Sequence, residues 1–365
     1  MRILFFNWRD ITHPMAGGAE VYLHEIAKRL ASEHDVTLFC PKYPGSNGTD
    51  EIDGIRLMRR GGSFSLYIHA ALHCLLGIRR GKYDIVVDSI NGVPFFTPLF
   101  ARKPRVAILH HLGDRTLFFK ELPFPPALVA WLAQRSIPLV YRRTPMVTVS
   151  DSSRQELVEY GMPADRINIV YNAIEQAMLG PGAKSPTPVI AYVGRIKQSK
   201  QIDHLLKAFE MARSDVPQAQ VVVAGRGDYD NLHELLDGSP IKSCVSLRGE
   251  VSEQEKADIL RKAWVFVIPS TKEGWGISVI EANGCGTPAI GYDVPGLRES
   301  IRHGETGLLV PSGDIRALAE AIVRLLTDTD LRDRMSQNAL QWSSGFSWDR
   351  SAREFNAILK KVAGA

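Results

Sequence analysis

Residues 265–282 read Val265-Phe266-Val267-Ile268-Pro269-Ser270-Thr271-Lys272-Glu273-Gly274-Trp275-Gly276-Ile277-Ser278-Val279-Ile280-Glu281-Ala282. The four apolar residues at the front form a buried strand, Pro269 and the glycines form a turn, and a helix begins near Gly276 or Ile277 and runs to Gly284. A strand feeding a helix through a glycine-rich turn is the building unit of a parallel α/β sheet. Glu273 lies at the carboxyl end of the strand, and Glu281 follows about one turn or more into the helix. Eight positions apart, Glu273 can face a ligand from the loop while Glu281 holds a more distant part of it. A carboxylate that accepts both hydroxyls of a ribose is the natural role for Glu281. Free N–H groups of Gly276, Ile277 and Ser278 at the helix start can hold a phosphate, with Gly274 and Trp275 in the loop beside them.

The same unit recurs on both sides of this stretch. Strands are expected at Val189–Val193, Val221–Ala224, Val245–Leu247 and Ala289–Gly291, and helices at Ile202–Arg213, Ser252–Lys262 and Ile315–Leu326. Gly180-Pro181-Gly182-Ala183-Lys184-Ser185-Pro186-Thr187-Pro188 carries too much proline for a sheet and reads as a linker. Before it, strands fit Ile3–Phe6, Val36–Phe39, Ile85–Asp88, Arg105–Leu109 and Met146–Val149, with helices at Ala19–Ser32 and Arg154–Tyr160. A length of 365 residues suits two domains. The expected boundaries are 1–175, a linker at 176–188, 189–345, and a closing helical segment at 346–365 with Ala352, Phe355, Ile358 and Leu359 on one face. The architecture is two doubly wound α/β domains facing a central cleft. Ligands of such sheets lie outside the carboxyl ends of the strands.

Three further loops fall at such ends. Gly194-Arg195-Ile196-Lys197-Gln198-Ser199-Lys200 would bring two cations, Arg195 and Lys200, to the cleft, the combination that a leaving diphosphate requires. Gly225-Arg226-Gly227-Asp228 is a second turn of this kind. In the first half, Pro14-Met15-Ala16-Gly17-Gly18-Ala19-Glu20 joins a strand to a helix, and the paired glycines permit close approach of an anion. It is neither G-x-G-x-x-G nor a Gly-Lys-Ser/Thr loop, which excludes the common dinucleotide and P-loop patterns. Two D-x-D strings, Asp228-Tyr229-Asp230 and Asp328-Thr329-Asp330, are about what chance supplies and carry no metal reading.

Composition excludes disordered, fibrous and disulfide-stapled classes: 45% of residues are hydrophobic and 23% charged. Cys40, Cys74, Cys244 and Cys285 show no paired spacing and read as reduced core thiols of a cytoplasmic protein. No signal peptide and no apolar run of membrane-spanning length is visible. The net charge of +4 is uneven, because residues 54–148 hold 14 basic and 4 acidic residues, a net of +10. Arg59, Arg60, Arg79, Arg80, Lys82, Arg102, Lys103, Arg105, Arg142 and Arg143 belong to it, interleaved with Phe95, Phe96, Phe118, Phe119, Phe124 and Trp131. Two readings stand: a solvated basic face, or a surface for an anionic membrane leaflet. No nucleic-acid motif accompanies the charge.

Taken together, these motifs make the chain resemble the glycosyltransferase family 4 enzymes from end to end. The resemblance rests on Gly17-Gly18-Ala19-Glu20, on Gly194-Arg195 with Lys200, on Glu273 and Glu281 as E-x7-E, and on Pro295-Gly296-Leu297-Arg298-Glu299, Gly304 to Val310 and Gly313-Asp314. Departures are Gln201, where many members have glycine, Trp275 in place of phenylalanine, and Asn283-Gly284 in place of alanine-like residues.

The resemblance implies the GT-B fold and retaining transfer from a nucleotide-diphosphate sugar to an acceptor, either a glycan or lipid-linked, in cell-surface polysaccharide or glycolipid synthesis. It implies no cofactor and no metal, since Arg195 and Lys200 would neutralise the departing diphosphate. Glu281 would hold the ribose and Glu273 the transferred sugar; Gly17 and Gly18 would approach the donor phosphates or the acceptor, and Gly225 the donor. A family histidine follows a first-domain strand. Here the doublet His110-His111 leaves both open; His110, directly after the strand, is favoured as catalytic, with His111 and Glu20 as acceptor-side candidates. The closing helix would return to the first domain. Localisation would be cytoplasmic, peripheral on the inner face of the membrane. A nucleotide-sugar epimerase or hydrolase, or a non-catalytic nucleotide-sugar-binding protein, is the competing reading.

Overall fold

Aliphatic runs bounded by glycine and proline do become strands, and two parallel-dominated sheets form in the computed structural model, which describes residues 1–62, 65–79, 81–113, 123–175 and 179–364. The chain divides into two units, Met1–Asn172 with Trp348–Ala365, and Ala173–Ser347.

The first unit holds β1 (Arg2–Phe6), β2 (Asp35–Cys40), β3 (Thr49–Ile52), β4 (Ile55–Arg59), β5 (Ile85–Ile90), β6 (Arg105–Leu109), β7 (Met146–Thr148) and β8 (Ile167–Ile169). They lie in the order β3-β4-β2-β1-β5-β6-β7-β8, parallel except for the β3–β4 hairpin. Central strands such as β1 and β5 are buried on both faces, as helices on each side of a parallel sheet require. Helices Gly18–Leu30 and Trp348–Ala363 cover one face, where Phe5 stacks on Phe355 at 6.3 Å. Alternation along the strands turns Leu4, Phe6, Val86 and Ile90 to the other face, beneath helices Leu66–Arg79, Thr97–Phe100 and Ile137–Val140.

The second unit holds β9 (Val189–Val193), β10 (Gln220–Ala224), β11 (Val245–Leu247), β12 (Val265–Ile268), β13 (Ala289–Tyr292) and β14 (Gly307–Val310). All are parallel, in the order β11-β10-β9-β12-β13-β14. The order reverses at β9, so the loops after β9, β10 and β12 leave the same end of adjacent strands.

One expectation changes in detail. Residues 179–188, read as a linker, are fastened to the second unit: Ser185 N donates to Lys262 O at 3.0 Å, and Trp264 Nε1 to Ser185 O at 2.8 Å. Proline keeps this segment out of the sheet, but its remaining backbone groups still find partners. Residues 176–178 lie outside the described residues. No helix among the described residues is long and apolar enough to cross a membrane.

Candidate functional site

In the second unit the loops at the strand ends are tied to one another. Gly194 N donates to Ala224 O at 3.0 Å and Ile196 N to Arg226 O at 2.8 Å, so residues 194–201 run along residues 225–227. The approach leaves no room for a side chain. A Cβ on Gly225, at φ +136°, would stand 1.9 Å from the Gly194 carbonyl oxygen. Thr271 N donates to Ser199 O at 3.0 Å and fastens the loop after β9 to the loop after β12. Lys200 then forms an ion pair with Glu273 across the same junction. The loop after β13 closes on it as well, because a Cβ on Gly296 would lie 2.3 Å from the Glu273 carbonyl oxygen.

Most of the expected donor-side residues therefore meet in one place, with distinct surroundings. Tyr192 Oη donates to the Arg195 carbonyl at 2.8 Å, which fixes the backbone while the guanidinium stays exposed. Gly274 and Gly276 shape the turn, with Gly276 at φ +87° just ahead of helix Ile277–Gly284. Ile277 opens that helix, and Glu281 stands on it half-buried. Trp275 is buried, its ring 5.3 Å from that of Phe346, so its side chain packs the loop from beneath.

Glu281 has a partner that the sequence did not advertise. Lys256 Nζ, from helix Glu253–Lys262, reaches Glu281 Oε1 at 2.6 Å and Glu253 Oε2 at 2.6 Å. Burial alone would lower the lysine's pKa; the two carboxylates hold it above the ordinary value. A charge 25 positions away in sequence leaves no motif, so only the fold pairs them.

In the first unit Gly17 caps helix Gly18–Leu30. Glu20, an acceptor-side candidate, turns back instead: its Oε2 accepts from Gly17 N at 2.7 Å, and the side chain is buried. The first turn of a helix has unpaired N–H groups, and a carboxylate three positions in satisfies one of them. The loop before Gly17 hangs on a buried ion pair. Arg59 Nε lies 2.7 Å from Asp10 Oδ2, each side chain 1% exposed, and Arg59 also donates to Thr12 Oγ1 at 3.1 Å. Burial would raise the Asp10 pKa, yet Arg59 and Thr12 hold it below the usual carboxylate value. Arg59, counted in the basic surface, is thus a core residue. Phe95 is too, while Arg80, Phe118 and Phe119 lie outside the described residues.

His110 directly follows β6 and is buried, with the Tyr22 ring edge-on at 4.9 Å. Its Nε2 meets no hydrogen-bond partner among the described residues, and its carbonyl accepts from Ser153 Oγ at 2.6 Å. His111 is exposed. Burial, helped by His111, pushes the His110 pKa down to about 3. The imidazole is therefore neutral near pH 7. Below the ordinary value of 6.5 the unfolded chain takes up a proton that the folded chain refuses. Stability should fall by about 2 kcal/mol between pH 6.5 and 5 on this account. Urea unfolding across that range checks it, and His110→Gln should flatten the slope.

Comparison with known proteins places the chain. Residues 175–342 match the model of glycosyl transferases group 1, and residues 16–177 that of Glycosyltransferase Family 4. A D-inositol 3-phosphate glycosyltransferase of Nocardia farcinica is 31% identical over 78% of this chain and 69% of its own. The chain belongs to glycosyltransferase family 4. A protein of the same description from Streptomyces bingchenggensis is 27% identical over 92% of this chain and 83% of its own. Two solved structures share the fold: sucrose-phosphate synthase of Thermosynechococcus elongatus, with a TM-score of 0.80, 19% identity and coverage of 99% and 98%, and HepE of Anabaena in complex with UDP and glucose, with 0.78, 18%, and 99% and 100%. The fold is GT-B, and this family 4 protein is an enzyme, a glycosyltransferase.

One departure from the family pattern has a structural reading. Gln201, where many family members have glycine, adopts φ +45°, a left-handed conformation that glycine takes without strain. It precedes helix Ile202–Ala212 and ends the loop that carries Arg195 and Lys200.

Proposed function

We propose that this glycosyltransferase transfers a sugar, with retention, from a nucleoside-diphosphate sugar to an anionic or lipid-linked acceptor. The observation that carries the reading is the junction of the loops after β9 and β12, where Lys200 meets Glu273 beside the loop of Arg195. Arg195 and Lys200 take up the charge of the departing diphosphate. Glu273 contacts the transferred sugar, Glu281 accepts the ribose hydroxyls, and the N–H groups of Gly276 and Ile277 serve a phosphate.

In the proposed step the bond from the anomeric carbon to the diphosphate oxygen breaks, and its electron pair leaves with the diphosphate. The acceptor hydroxyl attacks from the same face and gives its proton to the departing phosphate oxygen. Two fixed cations stabilise the charge that develops there, so no metal is assigned a role. His110 takes the family's histidine role toward the transferred sugar, as a neutral imidazole with Nε2 to offer. Relatives named for D-inositol 3-phosphate and the basic first unit both favour a negatively charged acceptor.

A panel of UDP, GDP and other nucleotide sugars tests this by thermal shift and then by turnover. One nucleotide class should stabilise the protein by about 2.7 kcal/mol at a hundredfold excess over Kd. Release of nucleotide should then depend on acceptor. Hydrolysis indifferent to every acceptor would favour the epimerase or hydrolase reading, and binding without turnover the non-catalytic one.

A further inference from the structure

Two neighbouring strands of the first unit are entered by segments of similar composition. Arg102-Lys103-Pro104 leads into Arg105 and β6, and Arg142-Arg143-Thr144-Pro145 leads into β7, each a pair of cations ahead of a proline. Proline has a fixed φ and no N–H, so it suits the mouth of a strand, where its carbonyl still joins the ladder. Pro104 O accepts from Val86 N at 3.0 Å, and Pro145 O accepts from Ala107 N at 2.9 Å. Both turns are thereby fastened to the sheet, and their cations stand at the same end of it. That end is opposite to the one that carries Gly17, Gly18 and His110.

There Arg102, Lys103, Arg105 and Arg143 meet Arg166, just ahead of β8, and Lys361 of helix Trp348–Ala363 around a concavity of about 510 Å3. Pro104, Pro145, Ile358 and Val362, all half-buried, give it an apolar wall. Its one carboxylate, Asp165, is 77% exposed and lies 3.5 Å from Arg166. No ion pair among the described residues engages the other five cations. Arg105 is held by the backbone: its Nη1 donates to Ala101 O at 2.6 Å, while its buried Nε has no partner among the described residues. Cations at helix C-termini are ordinary, and helices Thr97–Phe100, Ile137–Val140 and Trp348–Ala363 end here. Three helix ends supply at most about −1.5 charges between them, and Asp165 one more, against six positive charges. The excess is unmet within the fold.

We infer that this concavity binds a soluble small molecule that carries two or more phosphates. Arginine forks take phosphate oxygens in pairs, and four arginines around one space suit several phosphate groups rather than one. Linked phosphates place several negative charges within a few ångströms of each other, which is what this cluster of cations lacks. The volume lies in the range of small-molecule pockets, and the apolar wall leaves a place for a ring or chain beside the phosphates. A concave wall surrounds a discrete ligand, whereas a planar array of charges meets only its edge. The inference stands apart from the proposed function, since it uses neither Arg195 and Lys200 nor the loops around them.

Isothermal titration calorimetry of the full chain with inorganic tripolyphosphate at low salt tests it. Arg195 and Lys200 are a second place for this probe, so the titration is run on the parent, on Arg102→Gln with Arg143→Gln, and on Arg195→Ala. The double variant should lose ~10²-fold in affinity at one site, about tenfold for each charged contact removed, and Arg195→Ala should keep that site. Tripolyphosphate should raise the thermal unfolding midpoint of the parent and of Arg195→Ala, but not through this site in the double variant. Inorganic phosphate, with one group instead of three, should bind more weakly by about tenfold or more. Arg102 and Arg143 are exposed, so without ligand the double variant should unfold with the parent. If it unfolds earlier, Lys361→Gln at the exposed end of the closing helix makes the same comparison, with a loss of about tenfold. Unimpaired binding by these variants, or loss of all binding in Arg195→Ala, overturns the inference. So does equal affinity for phosphate and tripolyphosphate, which would mean an adventitious ion only. Capture on phosphatidylglycerol vesicles that the double variant abolishes and tripolyphosphate does not displace overturns it as well. Failure of every nucleotide sugar to bind would strike the proposed function and leave this comparison standing.

Discussion

Arg195→Ala is expected to lower kcat by about 10²–10³ while the protein stays folded, by analogy with removal of one donor from an oxyanion site. The expectation follows from where the charge develops. In the proposed step the diphosphate gains negative charge as its bond to the sugar breaks, and a cation that interacts more strongly with that state than with the bound substrate acts on kcat rather than on KM alone. The structure fixes the loop that carries Arg195. Its backbone is held by Tyr192, its loop is fastened to residues 225–227 and to Thr271, and its guanidinium is exposed beyond them. Lys200→Ala should be as costly and has a second consequence, because it releases Glu273 from its ion pair. Steady-state kinetics with the preferred nucleotide sugar checks both. Unimpaired turnover by Arg195→Ala would remove it from the diphosphate.

Asp10→Ala should destabilise the first unit by about 3–5 kcal/mol, because it leaves the Arg59 guanidinium buried without its carboxylate. Arg59→Ala should do the same from the other side. A double replacement, Asp10→Leu with Arg59→Met, should recover much of the loss, since apolar residues of similar volume often match a buried ion pair. Chemical unfolding followed by tryptophan fluorescence gives the measurement, with Trp8 and Trp131 reporting on this unit. A second readout concerns the loop. Residues 10–16 lead into Gly17 and Gly18, and Asp10 also accepts from Thr12 N at 2.9 Å. The double variant should therefore fold but bind its substrates more weakly than the parent. Equal stability of Asp10→Ala and the parent would mean that the pair contributes nothing.

Much of the strand pattern was legible because parallel strands are buried on both faces and so read as short apolar runs, as in Ile3–Phe6 and Val265–Ile268. The hairpin of β3 and β4 was not. Thr49-Asp50-Glu51-Ile52 is polar, lies at the sheet edge and is mostly exposed, so no apolar run announces it. Helix Leu66–Arg79 is not legible either. Leucines on its outer side and core residues on its inner side make it apolar all round, which erases the period of 3.6. The excess of positive charge at 54–148 divides once burial is known. Arg59 goes to the core, and Arg102, Lys103, Arg105 and Arg143 line a concavity at the N-terminal ends of β6 and β7 beside the closing helix.

What is local was legible along the chain: which segments are strands, which loops follow them, and which loops gather the glycines and charges that the proposed function uses, at Gly194–Lys200 and Glu273–Glu281. Those properties depend on neighbours within a few residues, and glycine, proline and charge at fixed offsets record them. Which loops meet and which charges are solvated depends on how distant segments pack. Parallel strands are joined by crossovers, so β10, β9, β12 and β13 become neighbours although other segments separate them in the chain. That order brings Gly225 against Gly194 and Lys200 to Glu273. Helices packed beside the sheet bring Lys256 to Glu281 in the same way. An arginine looks the same in a sequence whether it is buried or in water. Arg59 and Arg143 part ways because one finds Asp10 within the fold and the other is left facing solvent.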